Sequence, residues 1–260
     1  MSVHLRVYAE LNDFVKPVEQ YTVLRRLFRP HQTVKDVVEA AGIPHTEVDL
    51  VLVNGESVDF DHRPRHGDRI TAYPVFETLD IARATRVRPR PLREPRFVAD
   101  VNLGGLAKLM RLMGLDVRYR CDVDDAALAE VAAADHRILL TRDRGLLKRR
   151  NVTHGVYVRS DRPIDQVVEV IHRLDLAAQL APFTRCLRCG GAVAAVAKTD
   201  VEDQLELLTR RYYDEFRRCT ECDRVYWRGS HQARLNATVA AIRSELNRPG
   251  APQARSPDSR

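Results

Sequence analysis

No run of eighteen consecutive apolar residues occurs in this 260-residue chain, so no membrane-spanning helix is expected. The opening MSVHLRVYAELNDF is charged and lacks an apolar stretch of signal-peptide length, which argues against secretion. Cysteine is scarce: there are five, and four of them stand in two Cys-x-x-Cys pairs. That usage fits metal binding in a reducing compartment better than a disulfide framework, and a cytoplasmic location is expected. From about Arg248 onward apolar residues give way to Pro, Ser and Arg, and this tail reads as disordered. The remainder is ordinary for a globular protein, with 44% hydrophobic residues. Charged residues make up 30% and the formal net charge is +6, a mixed surface whose basic surplus suits a polyanionic partner.

Residues 1–78 read as a small α+β unit. Val3, Leu5 and Val7 alternate with polar neighbours, the period of a half-buried strand, and Tyr21–Leu24 is its expected hairpin partner. Thr33 is placed to cap a helix carrying Val34, Val37, Val38 and Ala41, closed by Gly42. Strands are expected at Asp49–Val53 and Arg69–Val75, with a turn at Asn54-Gly55. The order, and the phrase VLVNGE…GDRITAYPV, resemble the β-grasp of ubiquitin-like sulfur carriers. Those carriers end in an activated Gly-Gly, whereas this chain continues through Glu77-Thr78. Sulfur transfer is therefore not expected, and docking of a protein or of the ribosome is the better role. Residues 79–95 follow as a linker, rich in arginine and broken by Pro89, Pro91 and Pro95, which reads as a solvated tether.

Residues 96–180 alternate strand and helix, implying a parallel, three-layer α/β sheet. Helices are expected over Leu103–Met113, Asp125–Ala134 and Ile164–Leu174. In such sheets the reacting groups collect beyond the carboxyl ends of strands. Asp100 follows the apolar run Phe97-Val98-Ala99, with Asn102 two residues on. Asp143 follows Ile138-Leu139-Leu140 in Thr141-Arg142-Asp143, and Asp124 or Asp125 opens the helix between them. Singly these acids have plain readings, as helix caps or turn residues. Together, Asp100, Asp125 and Asp143 are candidates to hold Mg²⁺ or Mn²⁺, since clustered carboxylates repel unless a cation joins them. Asn102, Asp124, Thr141 and Asp161 are candidate supports. Lys108, Arg111, Arg142 and Lys148 are candidates to contact RNA phosphates.

Cys186-x-x-Cys189 and Cys219-x-x-Cys222, separated by 29 residues, form the strongest motif. Two knuckles supplying four thiolates meet the tetrahedral demand of Zn²⁺ and leave no open position, so the expected zinc is structural. Residues 181–235 are assigned to a zinc ribbon and 236–260 to a helix end and tail. Cys121 reads as a small core residue and His231 as a surface one. Of Tyr212, Tyr213, Phe216, Tyr226 and Trp227, most should pack the ribbon and one or two could stack on bases.

Asp100-Val101-Asn102 and Thr141-Arg142-Asp143 resemble the opening and closing motifs of PIN-domain nucleases. LGGLAKLMRLMGLDVRY, RILLTRDRGLL and PFTRCLRCGG…YDEFRRCTECDRVYWRGSH resemble the Mut-seven C-terminal RNase family, which joins a PIN-like nuclease domain to a zinc ribbon. Some members carry a ubiquitin-like domain in front. The resemblance implies a Mg²⁺- or Mn²⁺-dependent ribonuclease with Asp100, Asp125 and Asp143 as metal-binding acids. The family's first helix usually carries more arginine, where this chain has Gly104, Gly105 and Lys108.

Overall fold

The computed structural model describes residues 1–74, 85–87, 95–229 and 231–248. Most of the expected linker and the expected disordered tail lie outside the described residues.

The first unit is built from β1 (Ser2–Val7), β2 (Leu24–Leu27), α1 (Val34–Ala40), β3 (Leu50–Val53), β4 (Glu56–Ser57) and β5 (Arg69–Tyr73). Its mixed sheet runs β2-β1-β5-β3-β4, with β1 parallel to β5 at the centre. Alternation in β1 turns Val3, Leu5 and Val7 inward against α1. A reciprocal capping box between Thr33 and Asp36 opens α1, and Gly42 at φ 102° closes it, as the sequence pattern predicts. Asn54 and Gly55, both at positive φ, make the tight turn between β3 and β4. The hairpin partner of β1 starts at Leu24, later than the expected Tyr21–Leu24. Tyr21 is consumed by a turn: its φ is 59° and its N–H donates to Asn12 Oδ1 at 2.7 Å. A piece of the expected tether also folds back. Thr85 Oγ1 donates to the Asp49 carbonyl and Val87 packs against the sheet's core.

The second unit contains β6 (Phe97–Ala99), α2 (Gly104–Leu112), β7 (Val117–Tyr119), α3 (Asp125–Ala134), β8 (Ile138–Thr141), α4 (Arg144–Leu147), β9 (Gly155–Tyr157) and α5 (Pro163–Arg173). All four strands are parallel in the order β7-β6-β8-β9. The central pair β6 and β8 is buried at every residue, which is why those strands read as unbroken apolar runs. Helices α2 and α5 pack on one face, and α3 with α4 on the other, giving three layers.

Three short antiparallel strands follow, β10 (Val193–Val196), β11 (Phe216–Cys219) and β12 (Val225–Trp227), with α6 (Leu207–Tyr212) between β10 and β11. The chain then returns to the second unit through α7 (Gln232–Leu246). This helix is longer and more integral than a helix end. Val239 and Ile242 enter the core beside α5, and Leu235 and Leu246 pack against it.

The first unit is seated on the second through ions. The Glu47 carboxylate, with no exposed side-chain surface, accepts from Arg173 Nη2 and from the Tyr157 backbone N–H, each at 2.5 Å. Arg159 reaches Asp13 at 3.1 Å, and Arg144 lies over the Phe14 ring at 5.0 Å. His45 Nε2 meets the Val152 carbonyl at 2.9 Å.

Candidate functional site

Because β6 and β8 are parallel neighbours, their carboxyl ends open side by side, and the two signature aspartates meet there. Asp100, 5% exposed, accepts a hydrogen bond from Thr141 Oγ1 at 2.6 Å. The same hydroxyl oxygen accepts from the Asp143 backbone N–H at 2.9 Å, so Thr141 latches the two motifs together. Asp143 is exposed and caps α4, its Oδ1 accepting from Gly145 N at 2.6 Å and Leu146 N at 3.4 Å. Its other carboxylate oxygen makes no hydrogen bond among the described residues. Asn102 stands exposed in the turn after Asp100, with its side chain free among the described residues. Tyr119 closes that turn from above, donating to the Val101 carbonyl at 2.9 Å.

Asp125 is exposed at the first position of α3, while Asp124 is the cap, accepting from Ala127 N at 2.8 Å. The Asp125 side chain takes part in no hydrogen bond or ion pair among the described residues. Among the described residues the one group of three or more metal-type donors within 4.8 Å of one another consists of cysteines. Asp161 lies on the same rim, paired at 2.7 Å with Arg142, whose Nη1 also donates to the Ser160 carbonyl at 3.3 Å.

The expected basic contacts divide. Lys108 is exposed on α2 and unpaired among the described residues. Lys148 instead donates to the Glu39 carbonyl of the first unit at 2.9 Å, so it belongs to the seam between units and not to an open phosphate path. Arg111 departs further. It is 3% exposed and donates to three backbone carbonyls: Val117 at 2.8 Å, Leu187 at 3.3 Å and Arg188 at 2.9 Å. Burial pushes its pKa below the ordinary guanidinium value, and the nearby Cys189 and Cys186 push it back up. Expected among the phosphate contacts, Arg111 is instead turned inward by α2, toward the first cysteine knuckle.

At that knuckle the four thiols of Cys186, Cys189, Cys219 and Cys222 converge. Sγ–Sγ separations of 3.6 Å for Cys186–Cys222 and 3.4 Å for Cys189–Cys219 are far too long for disulfides. They sit close to the spacing of about 3.8 Å that tetrahedral Zn–S bonds of about 2.3 Å impose. Backbone N–H groups of Gly191 and Glu221 each donate to a sulfur at 3.4 Å, the Tyr226 hydroxyl lies 3.0 Å from Cys186 Sγ, and thiolates welcome such donors. Burial pushes the Cys186 thiol up, but the Tyr226 hydroxyl and the knuckle's N–H groups outweigh it and leave it at about 6. Burial pushes Cys189 up. Cys121, expected in a core, is exposed beyond β7 and joins neither centre.

Any side chain at the two glycines that open α2 would crowd its neighbours. A Cβ on Gly104 would lie 2.7 Å from Tyr119 Oη, and one on Gly105 would lie 2.9 Å from Pro163. Sequence reasoning gave no signal for Tyr119 over the acidic turn, for Tyr226 on Cys186, or for Glu47 between the units.

A family model for the Mut7-C RNAse domain matches residues 95–239, and one for Mut7-C ubiquitin matches residues 1–80. Among solved structures, SAMP1 from Haloferax volcanii is similar at 19% identity with a TM-score of 0.25, covering 30% of this chain and all of its own. No curated protein matches the chain.

Proposed function

The chain belongs to the Mut7-C RNase family, and from that premise we propose that it is a metal-dependent ribonuclease, a PIN-like domain hydrolysing RNA phosphodiester bonds at Asp100 and Asp143. The observation that carries the reading is the Thr141 latch. It fixes one carboxylate from each motif at the mouths of two adjacent parallel strands. Mg²⁺ keeps several waters and takes one or two protein carboxylates, so this pair is a sufficient protein share, and the unengaged Asp125 is the third acid of the rim. When bound, Mg²⁺ or Mn²⁺ supplies positive charge to the phosphodiester and acidifies a water for attack. The protein's own part is positional. Thr141 orients Asp100, the α4 backbone orients Asp143, and Arg142 with Asp161 borders the entrance.

The cysteine centre takes structural Zn²⁺ and makes the β10–β12 sheet a zinc ribbon that assists RNA binding. No described helix is long and apolar enough to cross a membrane. The ubiquitin-like unit exposes Val18, Tyr21, Val23 and Leu27 around its edge strand β2, a face for a protein or ribosomal partner.

Asp143→Asn tests the reading cleanly, because asparagine is as good a helix cap as aspartate. The α4 cap survives while the charge is lost. Labelled total RNA should be cleaved by wild-type protein with Mn²⁺, and neither by Asp143→Asn nor in the presence of chelator. Undiminished cleavage by Asp143→Asn would remove the reading. The alternative is a non-catalytic RNA- or ribosome-binding adaptor, favoured by the lack, among the described residues, of any group of three carboxylates within 4.8 Å of one another. It predicts salt-sensitive binding by zinc-loaded protein and no cleavage under any metal.

A further inference from the structure

Between the β10–β12 sheet and the helices α2 and α7 lies an open groove of about 1130 Å³. Six arginine or lysine side chains line it against two acids. Four of the cations, Lys108, Arg217, Arg224 and Arg234, take part in no ion pair among the described residues. They are not spent on holding the fold. Trp227, the chain's one tryptophan, lines the same groove and is 40% exposed, although burial would reward so large an apolar ring. The ring is braced from one side: a Cβ on Gly229 would lie 2.7 Å from its Nε1. An exposed, braced aromatic among unpaired cations is the composition of a single-strand site, where bases stack and phosphates are neutralised.

The groove also leads to the acids. Lys108 lies four residues into α2, about 6 Å along the helix from Gly104, and Gly104 follows the Asp100–Leu103 turn directly. The groove's Lys108 thus stands on the helix that begins directly after the acidic turn, with Tyr119 over the start of that helix. We infer that this groove holds a single-stranded stretch of the RNA substrate, one base stacked on Trp227 and its phosphates on Lys108, Arg217 and Arg234. The inference rests on the ribonuclease reading for the identity of the nucleic acid, and deepens it by placing the substrate outside the acidic pair. A duplex does not suit the site, because its bases are already stacked and cannot reach the indole.

The lone tryptophan makes the site directly observable. Full-length, zinc-loaded Asp143→Asn protein is titrated with a ten-nucleotide oligouridylate and, separately, with a blunt RNA duplex of the same length. Expected is saturable quenching of Trp227 emission by the single strand and none by the duplex. The double variant Lys108→Glu/Arg234→Glu, both residues on the surface, should weaken binding at least tenfold. Two lost phosphate contacts should also flatten the log–log salt dependence by about 1.4. Trp227→Leu, followed by fluorescence anisotropy of labelled RNA, should weaken binding about tenfold at unchanged zinc content. Binding seen by anisotropy without quenching, indifferent to the double variant, would overturn the inference, as would equal quenching by duplex. Either result leaves the ribonuclease reading standing, since that depends on metal-dependent cleavage by wild-type protein.

Discussion

Truncating Arg111 leaves the carbonyls of Val117, Leu187 and Arg188 without their donor in a buried place. Each orphaned group costs about 1–3 kcal/mol, and a positive charge beside four thiolates disappears as well. Arg111→Met is therefore expected to lower Tm by several degrees and to surrender zinc to a colorimetric chelator at lower chelator concentration. Wild-type zinc retention in that variant would show that the knuckle does not depend on this contact. Tyr226 acts on the same centre by a proton argument. With its hydroxyl 3.0 Å from Cys186 Sγ, that thiol sits at about 6 instead of its ordinary 9.0. A depressed pKa means the thiolate's contribution is complete above the ordinary value and fades as pH falls through about 6. Tyr226→Phe should raise that pKa, so the pH midpoint of zinc release moves upward when followed by metal content after dialysis. An unmoved midpoint would assign the acidification to the backbone N–H groups alone.

Helix α7 is the element whose removal should matter most. Ile242 is fully buried in the second unit's core, and Ile→Ala at such a site costs about 2–5 kcal/mol. Ile242→Ala should lower Tm without changing zinc content, measured by calorimetry and metal analysis together; a Tm within a degree of wild type would mean that α7 is dispensable. This helix was legible in principle. Leu235, Val239, Ile242 and Leu246 recur at helical spacing, but alanines and charged residues around them dilute the stripe. The parallel strands were far easier to read, because burial on both faces writes them as continuous apolar runs such as Ile138–Leu140. The α1 cap was equally plain, since Thr33 and Asp36 follow a local chemical rule. What local rules miss is direction in space. Both Lys108 and Arg111 read as phosphate contacts, yet only the packed helix reveals that Arg111 turns inward to a knuckle more than seventy residues away in sequence. The aspartates were legible as strand-end residues and Thr141 as a candidate support, but the latch that joins them shows only in the packed strands. Where Asp125 stands relative to them depends on how α3 lands against the sheet, which no local pattern fixes.

At the scale of the whole molecule, the ubiquitin-like unit is held against the second unit by a buried pair. Glu47, with no exposed side-chain surface, binds Arg173, itself only 12% exposed, and accepts the Tyr157 N–H at the end of β9. Removing one partner of a buried pair strands the other charge, at a cost of about 3–5 kcal/mol, far more than a surface pair is worth. Glu47→Gln keeps the shape and the acceptor for Tyr157 but removes the strongest charge partner of Arg173, leaving the more distant Glu10 and Glu169. The other seam contacts, Arg159 to Asp13 and Arg144 over Phe14, are partly exposed and cannot make up that loss. Wild-type protein should therefore melt in one cooperative transition, and Glu47→Gln in two, with the ubiquitin-like unit separating first. Arg144 and Arg159 flank the strand ends that carry Asp143 and Asp161, so loosening the seam should also lower kcat while leaving single-strand affinity in the ribbon groove unchanged. Calorimetry reads the first effect and single-turnover cleavage beside oligouridylate binding reads the second. A single unshifted transition would mean that the apolar contacts of the seam suffice without the ion pair.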